Sequence, residues 1–520
     1  MLQNSKSRFS APRSVENRFS QIPTMVSEIS KKITDFRQRF RKLVDNAEVF
    51  FNEYQAQYRS LALLKRKIDT FQEQLDRIDT YRKEKGKYPS IKGQPSTQRY
   101  IARLVAQQTK LEDEHRALEK TVNIARNDRY EALDHLTDEI LDLLDGHQIF
   151  GQFLGTIALS TPSPEDKVRH IRNEKYKPIY IAALTIALFE EVRFKHIFEY
   201  SLLNDELKRL FPTADKFSLM ANKNDASNTV NLTRQPMASD TKLAYRESIL
   251  KPLAKAALLQ SIGLHSPEAQ QVLGRDRYRR LNNSERLSLL SIIDKKTMDY
   301  IKLGVGIPTV RFDSREEKAA FIANEQKQLT FMIDILSGLK KTGHELGDLI
   351  RIPMTYASFL LSTKKDFDYQ EIYRAYDIIE ESIQRKTNHP THVSCFLKMV
   401  GRFPLGSGIY FIQEESGEIE RAIVSSLYPF NVEEPICKQI TRRQIQFLSQ
   451  TEVVVSKKSN LFYAQSREKS HYDPEFLAAR YHGIFTWNAA DLWESQISSL
   501  AFWKKDGVRK TNGRYNPDSY

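Results

Sequence analysis

The amino-acid sequence predicts a mainly α fold. Its parts are a long, coiled-coil-like N-terminal helical hairpin, a helical domain that ends in a β-hairpin, and a small C-terminal extension. Residues 26–78 carry an apolar ladder in alternating steps of three and four, which is the period of a packed helix. Helical patterning returns over residues 245–400. Over residues 408–425 the period changes to two, which is typical of a β-hairpin.

The length and the composition bound the number of domains and the class of protein. A chain of 520 residues exceeds what one hydrophobic core usually supports, so roughly two to four domains are expected. The longest apolar run, residues 179–189, stops at two glutamates, short of the roughly 20 residues that a bilayer requires. Cys395 and Cys437 are the only cysteines, which excludes a disulfide framework. A reducing compartment and a cytoplasmic location are therefore expected, with no transmembrane segment.

The charge balance is basic. The chain has 79 lysines and arginines against 66 aspartates and glutamates, a formal net charge of +13. Such an excess favours an anionic partner, for example nucleic acid, a phosphorylated ligand or an acidic protein face. The alternative interpretation is that the charge serves solubility alone.

The N-terminal region predicts a helical hairpin over residues 25–146, preceded by a polar segment, residues 1–24, that is expected to be disordered. Glycines and prolines in residues 85–96 end the first helix, and Ser96 or Thr97 can cap the second. Phenylalanine and tyrosine on the seam fit a regular two-stranded zipper poorly. We therefore expect the hairpin to pack onto another helix, either as a stalk that self-associates or binds a protein partner, or as a subdomain lying against the rest.

The remaining chain divides at breaks in the helical pattern. A helical domain is expected over residues 167–441, with a polar, mobile insertion at residues 221–241. Residues 442–503 form a small α+β extension rich in aromatic side chains. The tail, residues 504–520, is basic and expected to be disordered. Basic and aromatic residues together could bind single-stranded nucleic acid, but core packing of the tryptophans explains the same pattern.

The order of segments in the helical domain resembles the HD-GYP family of bacterial cyclic di-GMP phosphodiesterases. The segments that carry the resemblance are LLQSIGLHSPEA, GHELGDLIRI, LLSTKKDFDY and VSCFLKMVGRFPLGSGIYFI. Residues 396–407 look like the closing helix and glycine-aromatic-proline turn of that family, and residues 343–352 look like the segment that follows its GYP turn. The resemblance covers roughly residues 170–441 and implies an HD-GYP-like helical domain.

The same resemblance implies that the catalytic metal ligands are lost. The His-Asp pair of the family falls at Gln260 and Ser261, whose amide and hydroxyl are poor ligands for a catalytic transition metal. The lysine that usually follows falls at Leu264, and residues 324–331 hold no histidine. The GYP turn falls at residues 334–336, and the later aspartate falls at Tyr356 or Ala357. A degenerate site without catalytic residues or a metal cofactor is expected.

Two histidine-containing segments carry residue types that bind metals. The first holds His389, followed by His392 and Cys395 three apart on a predicted helix, but a zinc site requires a fourth ligand. A helix cap at Thr391 with Cys395 in the core accounts for the same residues. The pair His344-Glu345 lacks the second histidine of a zincin helix. No metal site is therefore predicted from these segments, and the sequence contains neither a GxxxxGK[ST] loop nor a GxSxG elbow.

The segment GRDRYRRL is the densest short basic patch outside the termini, with Arg275, Arg277, Arg279 and Arg280. The guanidinium group of arginine can donate two hydrogen bonds to one phosphate. These residues are therefore the candidate ligand-binding site for a cyclic dinucleotide or another anionic ligand. The alternative is a solvated face.

The function predicted from the sequence is a non-catalytic regulatory or scaffolding protein of bacterial cyclic di-GMP signalling. An active phosphodiesterase with displaced ligands and a nucleic-acid-binding protein are the alternatives.

Overall fold

The structure is a computed structural model. It describes residues 16–144, 151, 153–155, 157, 169–212, 239–440, 452–481, 485–487, 508–510 and 513–515. The predicted insertion at residues 221–241 lies outside the described residues except for its last three, which begin a helix. Mainly α architecture is confirmed.

The helices follow one another in chain order. They are α1 (Glu16–Lys85), α2 (Thr97–Leu144), α3 (Arg169–Val192), α4 (Ser201–Leu210), α5 (Ser239–Tyr245), α6 (Lys251–Leu259), α7 (Pro267–Leu273), α8 (Asn283–Asp299), α9 (Arg315–Gly338), α10 (Glu345–Leu360), α11 (Arg374–Gln384), α12 (Pro390–Val400), α13 (Ala464–Glu468) and α14 (Pro474–Tyr481). Two π-helical segments, Arg246–Leu250 and Tyr300–Val305, connect α5 to α6 and extend α8. Ile262–His265 and Tyr369–Tyr373 are 3-10 turns.

The strands are β1 (Gly408–Ile412), β2 (Ile419–Val424), β3 (Ile436–Ile440), β4 (Glu452–Val454), β5 (Thr486–Trp487), β6 (Val508–Lys510) and β7 (Gly513–Tyr515). They form one sheet in the order β5-β1-β2-β3-β4-β6-β7. All neighbours are antiparallel except β4 and β6, which are parallel.

The predicted β-hairpin is confirmed, but the predicted boundaries around it are not. Gly408 of β1 pairs with Ile423 of β2, and β2 continues the sheet to β3 and β4. The boundary at residue 441 therefore falls between adjacent strands of one sheet. The tail that was expected to be disordered contains β6 and β7. Strand β6 pairs with β4, and β7 pairs with β6.

Helices α1 and α2 form the predicted antiparallel hairpin. Helix α1 begins at Glu16, so residues 16–24 are helical and not disordered as expected. At about 1.5 Å per residue, its 70 residues extend for about 105 Å. Ser96 provides the cap of α2, since its Oγ accepts from the backbone N of Arg99 at 3.4 Å. Thr97 instead donates its hydroxyl to the carbonyl of Pro89.

The hairpin has two halves with different surroundings. In the basal half, side chains such as Phe36, Phe50, Leu133 and Ile140 belong to the main hydrophobic core together with the domain helices. In the distal half, apolar side chains meet mainly within the hairpin, and most of them stay partly exposed. The hairpin is therefore part of the domain at its base and an arm at its tip.

A network of ion pairs joins the basal half to the domain. Asp134 of α2 lies 2.6 Å from the ammonium of Lys255 and 3.2 Å from that of Lys251. Asp138 contacts Lys251 at 3.1 Å and Arg246 at 2.8 Å. We call these five residues the ionic joint. Burial would raise the pKa of the Asp134 carboxyl, but the two lysines together lower it.

Helix α3 lies in the centre of the domain. Its apolar run, residues 179–189, is buried throughout and packs with α6, α10 and α12. Among the described residues, no helix combines the length and the apolar character that crossing a membrane requires.

Gly263 brings the 3-10 turn after α6 against the backbone of α8. Its backbone N donates to Thr297 Oγ1 at 3.1 Å. A Cβ at this position would lie 2.2 Å from the carbonyl oxygen of Ile293 and 2.8 Å from the backbone N of Thr297. Only glycine permits so close an approach of two backbones.

We expect Gly263→Ala to destabilise the protein by about 3 kcal/mol, because the new methyl group can be accommodated only if α8 moves. Urea unfolding followed by circular dichroism measures the change. The control is Gly151→Ala, where nothing lies within 4 Å of the added Cβ. Equal stability of the two variants would contradict the close approach.

Candidate metal centre

The positions of the expected His-Asp pair lie at the end of α6. Gln260 is buried, with 9% of its surface exposed, and donates from Nε2 to Ser261 Oγ at 3.1 Å. Leu264 packs on a small apolar cluster that includes Ala269 and Leu289. The amide and the hydroxyl therefore bond to each other.

The positions of the later ligands are also occupied by packed side chains. Tyr356 and Ala357 of α10 are 2% and 0% exposed and belong to the main core. The ring of Tyr356 meets that of Phe396 edge to face at 5.3 Å. In α9, Ile335 and Leu336 also belong to this core. Packing side chains thus fill the places where the family would carry ligands.

The candidate arginines are largely engaged with the protein itself. Arg277 pairs with Glu174 at 2.5 Å, and Arg279 forms a two-pronged contact with Glu285. Arg280 donates to the backbone carbonyl of Asp366 at 2.9 Å. These contacts order the loop between α7 and α8, whereas Arg275 lies exposed on its surface.

Three histidines from two distant parts of the sequence meet beside α10. His196 lies between α3 and α4, His389 caps α12, and His392 lies in the first turn of α12. Their ring centroids are 4.5 Å apart for His196 and His389, 5.0 Å for His196 and His392, and 4.9 Å for His389 and His392. One ring nitrogen from each lies within 4.8 Å of the others. We call this group the three-histidine cluster.

His392 is the most enclosed member of the cluster. It is 0% exposed, and within the described part of the chain neither of its ring nitrogens has a hydrogen-bond partner. Burial, together with the neighbouring His196 and His389, lowers the pKa of His392 to about 3. The ring is therefore neutral, and a neutral imidazole has a lone pair that can bind a metal ion.

Glu345, the first residue of α10, lies beside the cluster. Its carboxylate accepts from the backbone N of Glu199 at 2.9 Å and from that of Tyr200 at 2.7 Å. The same carboxylate contacts His196 Nε2 at 3.1 Å. Burial opposes ionisation of Glu345, but these hydrogen bonds lower its pKa. The negative charge is thus held next to the imidazole of His196.

The sequence indicated part of this cluster but gave it another role. His389 caps α12 by accepting from the backbone N of Thr391 at 3.3 Å, so the expected cap at Thr391 is wrong. Cys395 is buried in the core, as expected. His344 caps α10, and its neighbour Glu345 reaches the cluster. Nothing in the spacing indicated His196, because only the fold brings the end of α3 beside α12.

His265, which follows the glycine turn, lies apart from the cluster. Its Nδ1 is 3.5 Å from Glu48 Oε1, and its side chain is 14% exposed. Burial, aided by the positive charge of Arg277, lowers the pKa of His265 from 6.5 to about 4. Burial outweighs the attraction of Glu48, because that carboxylate is half exposed and thus screened by solvent.

The comparisons with protein-family models, with curated proteins and with solved structures found no match for the chain.

His265 should make stability depend on pH. Its pKa is lower in the folded than in the unfolded chain, so its contribution is complete above about pH 6.5 and is lost as the pH falls towards 4. We expect a loss on the order of 3 kcal/mol between these limits. Urea unfolding at a series of pH values measures it. In His265→Gln this part of the pH dependence should disappear, and an unchanged profile would contradict the assignment.

Proposed function

We propose that the protein is a non-catalytic regulatory or scaffolding protein whose helical hairpin is the interaction arm. The observation that supports this best is the packing at Gln260, Tyr356 and Ala357. Hydrolysis of a phosphodiester by metal-activated water requires an open pocket lined by imidazoles and carboxylates. A buried amide and a core of tyrosine and alanine offer neither ligands nor room.

The ionic joint supports a scaffolding role because it fixes the arm to the domain. Lys255 is only 3% exposed, and a buried ion pair that loses one partner typically costs about 3–5 kcal/mol. Further along the hairpin, Arg129 donates to the carbonyl of Gly304 at 2.6 Å. Arg126 contacts the hydroxyl of Tyr58 at 2.9 Å, which connects the two helices. These contacts attach the basal half to the domain, and the distal half extends from it.

The distal half supports self-association as the way in which the arm works. On α1, the seam side chains Leu61, Leu64, Ile68, Phe71 and Leu75 are only half-buried against α2. Two helices cannot enclose a continuous apolar seam, whereas a bundle of four can. A second copy of the hairpin would supply the two missing helices, and we propose that copy as the partner.

The pathway that we propose is bacterial cyclic di-GMP signalling in the cytoplasm. This part rests on the resemblance of residues 170–441 to the HD-GYP family, and on the charge of +13, which favours anionic ligands. A cyclic dinucleotide would have to bind at exposed arginines such as Arg275 and Arg280, since Arg277 and Arg279 are paired with glutamates.

We expect no hydrolysis of cyclic di-GMP by the full chain with Mn²⁺, Mg²⁺ or Fe²⁺. An active HD-GYP phosphodiesterase, assayed alongside, is the positive control, and product formation is followed by chromatography. Turnover above the uncatalysed rate would overturn the non-catalytic assignment.

We expect the full chain to self-associate and Leu64→Lys to dissociate it, because an ammonium on the seam would be buried without a partner charge. Sedimentation velocity over a range of protein concentrations measures the association. Ala62→Lys, at an exposed position of the same helix, adds an equal charge and should leave association unchanged. A wild-type chain that is monomeric throughout would overturn the proposal.

A further inference from the structure

We propose that His196, His389 and His392 bind one transition-metal ion of the zinc class. This site is separate from the packed positions Gln260 and Tyr356, and it is independent of the arm proposed above. The sequence alone gave His389, His392 and Cys395 with no fourth ligand, and Cys395 lies in the core. The fold supplies His196 as the third histidine.

The geometry of the cluster fits such an ion. Zn²⁺ binds imidazole nitrogens at about 2.0–2.1 Å, so nitrogens around a tetrahedral ion lie roughly 3.4 Å apart. One nitrogen from each histidine already lies within 4.8 Å of the others. Side-chain rotations would have to close the remaining difference. His389 would also have to give up the hydrogen bond that its Nδ1 accepts from the backbone N of Thr391, because a neutral ring has one lone pair. Three imidazoles leave a fourth position, which water can take.

The second observation is the orphaned ring of His392. A buried imidazole normally has a partner for its N–H and for its lone pair, since leaving either unpaired costs free energy. His392 is 0% exposed and has neither partner among the described residues. A metal ion among the three rings would accept the lone pair of one nitrogen. It would thereby give a partner to one of the two unpaired nitrogens of this buried ring.

Glu345 provides the electrostatic condition for a cation. The cluster lies at the N-termini of α10 and α12, whose dipoles oppose positive charge. The carboxylate of Glu345 lies 3.1 Å from His196 Nε2, and its negative charge offsets the unfavourable effect of the helix dipoles on a cation. A carboxylate that accepts from one ring nitrogen also fixes the tautomer and leaves the other nitrogen for the metal. Glu345 is therefore a positioning residue for His196.

An ion in this place would fasten three segments that are distant in sequence. These are the linker that holds His196, the start of α10 and the first turn of α12. Two of the segments are also joined directly, because Asp348 of α10 accepts from the backbone N of His389 at 2.6 Å. Metal binding to the folded chain would add to this contact and raise thermal stability.

The test uses untagged full-length protein stripped with a chelator and titrated with Zn²⁺ by calorimetry. We expect one ion per chain, and about 100-fold or greater weakening in His392→Asn and His196→Gln. Glu345→Gln should weaken binding by about 10- to 100-fold without abolishing it. His115→Gln, on the exposed part of α2, is the matched control and should bind as the wild type does.

Titration with Co²⁺ provides a readout of ligand geometry. We expect the intense visible absorption of a tetrahedral nitrogen site in the wild type, and its absence in His389→Gln, whose position is only half-buried. Circular dichroism establishes that each variant is folded. Binding of fewer than one ion per chain, or equal binding in folded His389→Gln and wild type, would overturn the site. Neither result bears on self-association or on cyclic di-GMP turnover, so the two proposals fail separately.

Discussion

The ionic joint between α2 and α6 fixes how the hairpin and the helical domain meet. An ammonium as deeply buried as that of Lys255 is tolerated only where a carboxylate reaches it, and Asp134 does so at 2.6 Å. Lys251 lies one turn earlier and reaches both Asp134 and Asp138. Carboxylates one turn apart on α2 thus face ammonium groups one turn apart on α6. The network holds this face of α2 against α6, and the apolar packing of the basal half lies in the same register.

That register has consequences at both ends of the molecule. At the base, the hairpin contributes its phenylalanines and leucines to the same core that encloses α3. Towards the tip, the two helices leave the domain, and their seam is covered only by each other. Residues 16–144 are therefore one hairpin with two parts: a wall of the domain and an arm outside it.

In the domain, the positions that the resemblance assigns to ligands are packed, and the polar cluster lies elsewhere. The expected ligand positions hold Gln260, Ser261, Tyr356 and Ala357, and the last two are core residues. Imidazoles gather instead at the start of α12, where His392 is buried beside Glu345 and His196. Apolar contacts hold these helices together, and this packing brings the histidines to one place.

The sequence by itself determined the features that depend on local period and turn chemistry. These are the long hairpin, the glycine turn at Gly263 and the β1–β2 hairpin, all set by residues close to one another in the chain. For the cap of α2 the sequence left Ser96 and Thr97 open. It misplaced the boundary at residue 441 and the helix start at Glu16, because sheet pairing and helix extension draw on distant or weak signals. Only the tertiary structure decided that Asp134 meets Lys255, and that His196 meets His392. Contacts between residues so far apart leave no periodic trace in sequence, since the packing of whole helices brings them together.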